Sequence, residues 1–188
     1  MKKFLLAAVL MLSSMAAFAQ HEVGTFTLQP KVGLNLANIT GKEVFDSKIR
    51  PAIVAGVEGE YQVADIFSLS AAVLYSQQGV KIKGADKSRQ LDYINVPVLA
   101  NVYVVKGLAV KAGAQIGFNV RHKEKIGGVT DDLSNVNKVD FTIPVGLSYE
   151  FYNVVIDARY NWGLTKVIKE HKVRNSVFQF TVGYKFEL

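Results

Sequence analysis

The chain has 188 residues, of which 49% are hydrophobic and 20% charged, and its formal net charge is +6. That length suits one domain, and that composition excludes a disordered chain. Cysteine is absent, which excludes a disulfide scaffold and a thiolate metal site and suits passage through an oxidising compartment.

The first twenty residues read differently from the rest. Lys2 and Lys3 form a positive start, Phe4 to Leu12 a short apolar run, and Ala17-Phe18-Ala19 a small-x-small cleavage pattern. This is the grammar of a secretory signal peptide over residues 1–19, cut before Gln20. The apolar run is too short to span a bilayer, which takes about 20 residues. Removing Lys2 and Lys3 lowers the net charge from +6 to +4, so the expected mature domain, 20–188, is mildly basic. No later apolar run is long enough for a membrane helix.

After Gln20 the dominant signal is period two, the mark of strands with chemically different faces. In the first segment Phe26, Leu28, Val32, Leu34 and Leu36 oppose Thr27, Gln29, Lys31, Gly33 and Asn35. Ile53, Ala55, Val57, Tyr61 and Val63 share a second apolar face, and Phe67, Leu69, Ala71, Val73 and Tyr75 a third. Segment 91–104 is less clean, but Ile94, Val96, Val98, Val102 and Val104 agree in phase. Segment 108–121 alternates throughout, as do 139–151 and 154–164. The last segment sets Phe178, Phe180, Val182, Tyr184, Phe186 and Leu188 against Gln179, Thr181, Gly183, Lys185 and Glu187 without a break in phase. Pro97 and Pro144 fall inside strands, where a missing N–H interrupts pairing, and are expected to mark bulges on the polar side.

The connections alternate. Those at 63–66, 105–107 and 152–153 are tight, whereas 41–49, 80–89, 122–137 and 165–175 are long and polar. Short turns on one side and long loops on the other predict an all-β, eight-stranded antiparallel up-and-down transmembrane β-barrel with both ends in the periplasm. A soluble lipocalin-like barrel would turn the apolar face inward. An eight-stranded interior is barely wide enough for side chains, and among the mature chain's aromatics only Phe45, Tyr93, Tyr103 and Tyr152 lie off the apolar set. So many rings do not fit inside. The rings also gather near the two ends of the strands with aliphatic residues between, as two membrane interfaces require.

The phrases Gly33-Leu34-Asn35-Leu36, Leu91-Asp92-Tyr93-Ile94-Asn95-Val96-Pro97, Phe141-Thr142-Ile143-Pro144-Val145-Gly146-Leu147 and Arg159-Tyr160-Asn161-Trp162-Gly163-Leu164 resemble the outer-membrane β-barrel domain common in Bacteroidetes. Members of that family are often labelled porin-family or PorT-like. The resemblance covers the whole mature chain and implies the fold and an outer-membrane address rather than an activity. The last strand looks like the sorting signal read by the barrel-assembly machinery, ending here in Leu188 with Phe186 two residues earlier.

The polar faces carry acids (Glu58, Glu60, Asp92, Asp140, Glu150, Asp157, Glu187) and bases (Lys31, Lys111, Arg121, Arg159, Lys185). Buried charges need partners, so a plug of ion pairs is expected, with Glu58, Glu60 and Arg159 at its centre and Lys111, Arg121 and Asp157 around them. Two loops hold basic clusters: Lys81, Lys83, Lys87 and Arg89, and Lys166, Lys169, Lys172 and Arg174. They suit lipopolysaccharide phosphates or another anion, or else are ordinary solvated loops. Protein partners, extracellular or periplasmic, are left open.

His122, Asp131, Asp132, His171 and Ser176 are the residues from which catalysis would have to be built, and no motif organises them. No ligand spacing suggests a metal, no motif a cofactor, and the small charge excess no nucleic acid. A structural or interaction barrel presenting loops is the first functional reading. A narrow porin is the second, followed by a secretion-system accessory barrel and the soluble lipocalin-like binder.

Overall fold

The computed structural model describes residues 21–40, 47–82, 87–126, 129–132, 137–165 and 174–188. The expected signal peptide, residues 1–19, lies outside them. Every regular element among the described residues is a strand: β1 (Phe26–Thr40), β2 (Ser47–Lys48), β3 (Arg50–Ala64), β4 (Phe67–Ile82), β5 (Lys87–Val105), β6 (Leu108–Ile126), β7 (Val129–Asp132), β8 (Val139–Phe151), β9 (Val154–Gly163), β10 (Arg174–Tyr184) and β11 (Phe186–Glu187). Eight of them are long, and each pairs antiparallel with its sequence neighbour. β10 then pairs with β1, from Lys31 against Gly183 to Thr40 against Arg174, and closes the sheet into a barrel. β2 pairs with the outer end of β4, and β7 folds back on the outer end of β6.

The register fixes the shape. Gln29 faces Glu58, which faces Ala72; the same step through Pro97, Gln115, Thr142, Gly163 and Asn175 returns to β1 at Ile39, ten residues further on. Eight strands with that stagger, at the usual rise and spacing, tilt by about 40° on a backbone cylinder of roughly 8 Å radius. Such curvature leaves no space for a Cβ where strands fold tightly toward the axis: at Gly33 it would lie 1.9 Å from the Phe180 carbonyl oxygen.

The outer face is apolar and exposed on all sides, with Val32, Val73, Val98, Val145 and Ile156 in its middle. Phe26, Tyr61, Tyr149, Phe151, Tyr184 and Phe186 ring the short-turn end, and Phe118, Phe141, Trp162 and Phe178 lie toward the other. The inner face is mostly polar, with a small apolar cluster of Val54, Ala72 and Leu74 on the β3–β4 wall and single buried apolar residues such as Leu91, Leu99, Val155 and Val177 elsewhere. Tyr93 and Tyr103, two of the aromatics off the apolar phase, are buried in the lumen.

Two expectations change. The strands outrun their alternating cores: β4 and β5 pair as far as Ile82 and Lys87, and β6 continues to Ile126, so the intervals 80–89 and 122–137 are largely ladder, not loop. The prolines are not bulges. Pro97 faces the lumen, and the β4–β5 pairing skips its position yet resumes in the same register; Pro144 does the same to the β6–β8 ladder. Pro30 opens a third gap opposite Tyr184, which divides β10 from β11 while their register against β1 is unchanged. Each proline keeps its pairing on the other side (Pro30 with Val57, Pro97 with Gln115, Pro144 with Asn161), so only the neighbour that needed its N–H is lost. The true irregularities lie at Gln62/Ala64, Asp92/Tyr93 and Tyr103/Val105. Two of these adjoin the turns Asp65-Ile66 and Lys106-Gly107, where Gly107 takes φ 82°.

A cation on the outer face tests its orientation. Val145→Arg, at a site 50% exposed in the aliphatic band, should cost about 2–4 kcal/mol in urea unfolding from lipid vesicles. Tyr152→Arg, in the two-residue turn after β8, should cost almost nothing. Equal costs at both sites would mean that Val145 does not face lipid.

Candidate functional site

The inward positions of a period-two strand recur every second residue, and in a cylinder this narrow, side chains from opposite walls meet. Lys31 enters from β1, Glu58 from β3, Lys111 from β6, and Asp157 and Arg159 from β9. Lys31 Nζ and Lys111 Nζ each donate to a separate Glu58 oxygen at 2.8 Å. Arg159 grips Asp157 side-on, Nε to Oδ1 at 2.8 Å and Nη2 to Oδ2 at 2.7 Å, and its Nη2 also reaches Glu58 at 3.3 Å. Lys111 lies 3.4 Å and Lys31 3.9 Å from Asp157 Oδ2. These five side chains are almost wholly buried. Three cations thus bridge two carboxylates across a layer one side chain deep.

A second cluster lies nearer the short turns. Lys185 Nζ contacts Glu150 at 2.8 Å and Glu60 at 3.0 Å. Ser68 donates to Glu60 at 2.5 Å, and the Tyr103 hydroxyl donates to the same carboxylate oxygen. His21 lies across the barrel end, with Nε2 3.1 Å from Glu150 and Nδ1 3.8 Å from Glu187. Backbone bonds from Gly24 N to Gln62 O and from Gln62 N to Thr25 O pin that segment down. Lys185 faces two acids here, where the first layer has one more cation than acids. Lys31, Lys111, Arg159 and Lys185 therefore balance Glu58, Asp157, Glu60 and Glu150.

The network differs from the expected one in two members. Glu60 joins Lys185 and Tyr103 instead of Arg159. Arg121 stands at the far rim, with its side chain 51% exposed and 3.9 Å from Asp92, because its place near the outer end of β6 is far up the barrel from Lys111. Lys31, Lys185, Glu150 and Tyr103, left outside the expected core, are central. Their signal was present, since all four lie on the polar phase of their strands.

At the long-loop end the Tyr75 hydroxyl donates to Asp92 at 2.8 Å, and Asn175 donates to Asp140 at 2.7 Å, as does Thr165 through its hydroxyl. Of the residues weighed for catalysis, Ser176 shares a hydrogen bond with the Tyr160 hydroxyl at 2.9 Å and His122 one with Asn119 at 3.0 Å. His171 and the side chains of Asp131 and Asp132 lie outside the described residues, as do those of Lys81, Lys83, Lys87, Arg89, Lys166, Lys169 and Lys172. Arg174, the remaining basic loop residue, is exposed at the start of β10.

The buried layer makes a mutational prediction. Arg159→Met leaves Glu58 and Asp157 facing one cation fewer and should cost about 3–5 kcal/mol. Arg121→Gln should stay within about 0.5 kcal/mol. The midpoint of heat-dependent gel migration reads both; if the two variants melt together, the layer carries no bracing.

Comparison with known proteins agrees with this geometry. No curated protein matches the chain. Among solved structures, neisserial surface protein A (NspA) is 20% identical, with 86% of this chain and 97% of that one covered at a TM-score of 0.60. Ail, the attachment invasion locus protein of Yersinia pestis, is 16% identical, with 88% of this chain and 100% of that one covered at a TM-score of 0.56. A second Ail structure holds the heparin analogue sucrose octasulfate and superposes at a TM-score of 0.53, with 15% identity and the same coverage. At these identities the likeness is one of fold. The family model described as "Outer membrane protein beta-barrel domain" matches residues 18–169, and the chain belongs to that family: it is a small bacterial outer-membrane β-barrel.

Proposed function

We propose that the protein is a plugged barrel, a rigid outer-membrane anchor that presents its long-loop end outside the cell. The observation that carries this reading is the layer of Glu58, Asp157, Lys31, Lys111 and Arg159, which joins four strands across the lumen. Ion pairs at 2.7–2.8 Å with buried partners hold side chains where a porin would need water. The long β4–β5 and β6–β7 ladders, paired as far as Ile82 with Lys87 and Ile126 with Val129, suit a display role. Export would use the signal peptide 1–19, with cleavage before Gln20, and insertion would use the barrel-assembly machinery reading the Phe186–Leu188 end.

The ligand class we favour at the display end is anionic. Lys81, Lys83, Lys87 and Arg89 form one basic cluster in the sequence and Lys166, Lys169, Lys172 and Arg174 another. Lysine and arginine side chains grouped at the membrane surface attract phosphate-bearing headgroups, and lipopolysaccharide supplies these in the outer leaflet. The Ail complex with a sulfated sugar is a property of Ail; the reading here rests on the two clusters. A finer placement among porin-family, PorT-like barrels, and with it a secretion-accessory role, rests on the sequence resemblance alone.

Two measurements test the reading. Refolded wild-type protein in a planar bilayer should be electrically silent, and discrete reproducible steps would replace the plug with a narrow porin. Neutralising both basic clusters should lower binding to lipopolysaccharide vesicles at least tenfold and raise the salt sensitivity of what remains. Unchanged binding would end the anion reading while leaving the anchor intact.

A further inference from the structure

Several buried polar atoms in the lumen have no partner among the described residues; two of them, Arg159 Nη1 and Thr181 Oγ1 beside Asp157, lie at the level of the ionic layer, and the others to either side of it. On the long-loop side of the ionic layer are Asn35 Oδ1, Gln115 Oε1, Asn161 Oδ1 and Gln179 Nε2; on the short-turn side are Thr27 Oγ1 and both polar atoms of Gln29. The placement follows the strands. Asn35 lies four residues beyond Lys31 on β1 and Gln115 four beyond Lys111 on β6, while Asn161 follows Arg159 on β9. Gln29 precedes Lys31 by two positions in the opposite direction. A buried amide or hydroxyl without a protein partner costs too much to stay dry, and water meets that need with about three hydrogen bonds per molecule.

We infer that the lumen holds two water-filled vestibules separated by one septum, the layer of Lys31, Glu58, Lys111, Asp157 and Arg159, and that this layer alone keeps ions from crossing. The inference rests on the plugged reading and deepens it, because it identifies which part of the lumen is the plug. Inside the septum the carboxylates are saturated: both Glu58 oxygens and both Asp157 oxygens accept from cations. Among the layer's charged side chains only Arg159 Nη1 lacks a partner among the described residues, so water finds few sites there. Its neighbours are of the opposite kind, amides with atoms to spare. The second cluster, Lys185 with Glu60 and Glu150, lines the short-turn side. Tyr103 and His21 hold it to the wall and the rim.

The septum's composition also sets what passes once it is opened. Glu58→Gln leaves three cations facing Asp157 alone, so the opened path should prefer anions. Lys31→Met with Lys111→Met leaves Arg159 facing two acids, so that path should prefer cations. The selectivity of a path is governed by the sign of charge lining its narrowest point.

The experiment is planar-bilayer recording of wild type, Glu58→Gln, the double lysine variant and the charge-conserving pair Glu58→Gln/Lys111→Met, each shown to be folded by heat-dependent gel migration. The expected result is a silent wild type, discrete steps in the variants, and reversal potentials of opposite sign for Glu58→Gln and the double lysine variant under a salt gradient. Arg121→Gln, at the rim, should be as silent as wild type. Folded variants that stay silent would overturn the septum and leave the plug, whereas steps from wild type would overturn the plugged reading itself. A measurement on wild type needs no variant to fold. Side-chain amides of Gln29 and Gln179 in lipid nanodiscs should show magnetisation transfer from water, one on each side of the layer, and dry amides at either would also overturn the proposal.

Discussion

The pairing of β10 with β1 is the contact without which nothing else in this molecule could exist in lipid. An open sheet carries two rows of unpaired N–H and C=O groups, and in hydrocarbon each such group costs several kcal/mol. Closing Lys31–Thr40 against Gly183–Arg174 removes both rows at once. Closure with eight strands and a stagger of ten residues then fixes a cylinder of roughly 8 Å radius, so that alternate residues of every strand must share a narrow interior. The prolines mark the tolerance of this scheme. Pro30, Pro97 and Pro144 each interrupt one ladder but shift no register, so each loss is local and the circumference is unchanged.

The narrow interior turns a charge problem into a brace. A lone lysine or glutamate at that depth would carry a large desolvation cost, and breaking a buried pair leaves one behind. Here the cost is shared across walls: Glu58 of β3 takes Lys31 from β1, Lys111 from β6 and Arg159 from β9. One carboxylate thereby ties three other strands to its own. Such a network stabilises less than the same volume of well-packed apolar side chains would, but it sets the relative height of those strands. A register slip of one residue on any of them would turn its charge to the lipid.

Much of this was legible in the sequence, for a definite reason. Lipid dictates the outer face and geometry dictates the period, so Val32, Leu34, Val145 and Ile156 announced themselves through alternation, and Tyr93 and Tyr103 by breaking phase with the other rings. The polar set was equally visible, whereas the partners within it were not. Whether Arg121 meets Glu58 or the solvent depends on its height in the barrel, which follows from the stagger between strands, and alternation contains no information about stagger. Glu60 shares the polar phase with Glu58 but, being two positions from it, lies one layer lower, beside Lys185. The prolines were misread because the rule that a proline interrupts pairing does not say which neighbour loses it. The loop limits were set too early because strands that rise beyond the bilayer need no lipid-facing residues, so Lys87–Arg89 and His122–Ile126 pair without the pattern that reveals a strand.

The same division explains why resemblance stops where it does. NspA and Ail share this fold at 20% and 16% identity, since an outer face needs only apolar residues at every second place and rings at two heights. That requirement is met by very many sequences and is silent about purpose. What distinguishes one such barrel from another has to lie where lipid makes no demand, in the lumen and beyond the outer rim. In this chain the lumen is taken up by charges that answer one another: four basic and four acidic side chains in two adjoining layers, with unequal counts in each. The imbalance within each layer is offset by the other, which favours keeping the two close and at fixed height. Charges committed in this way hold the barrel's own strands in register.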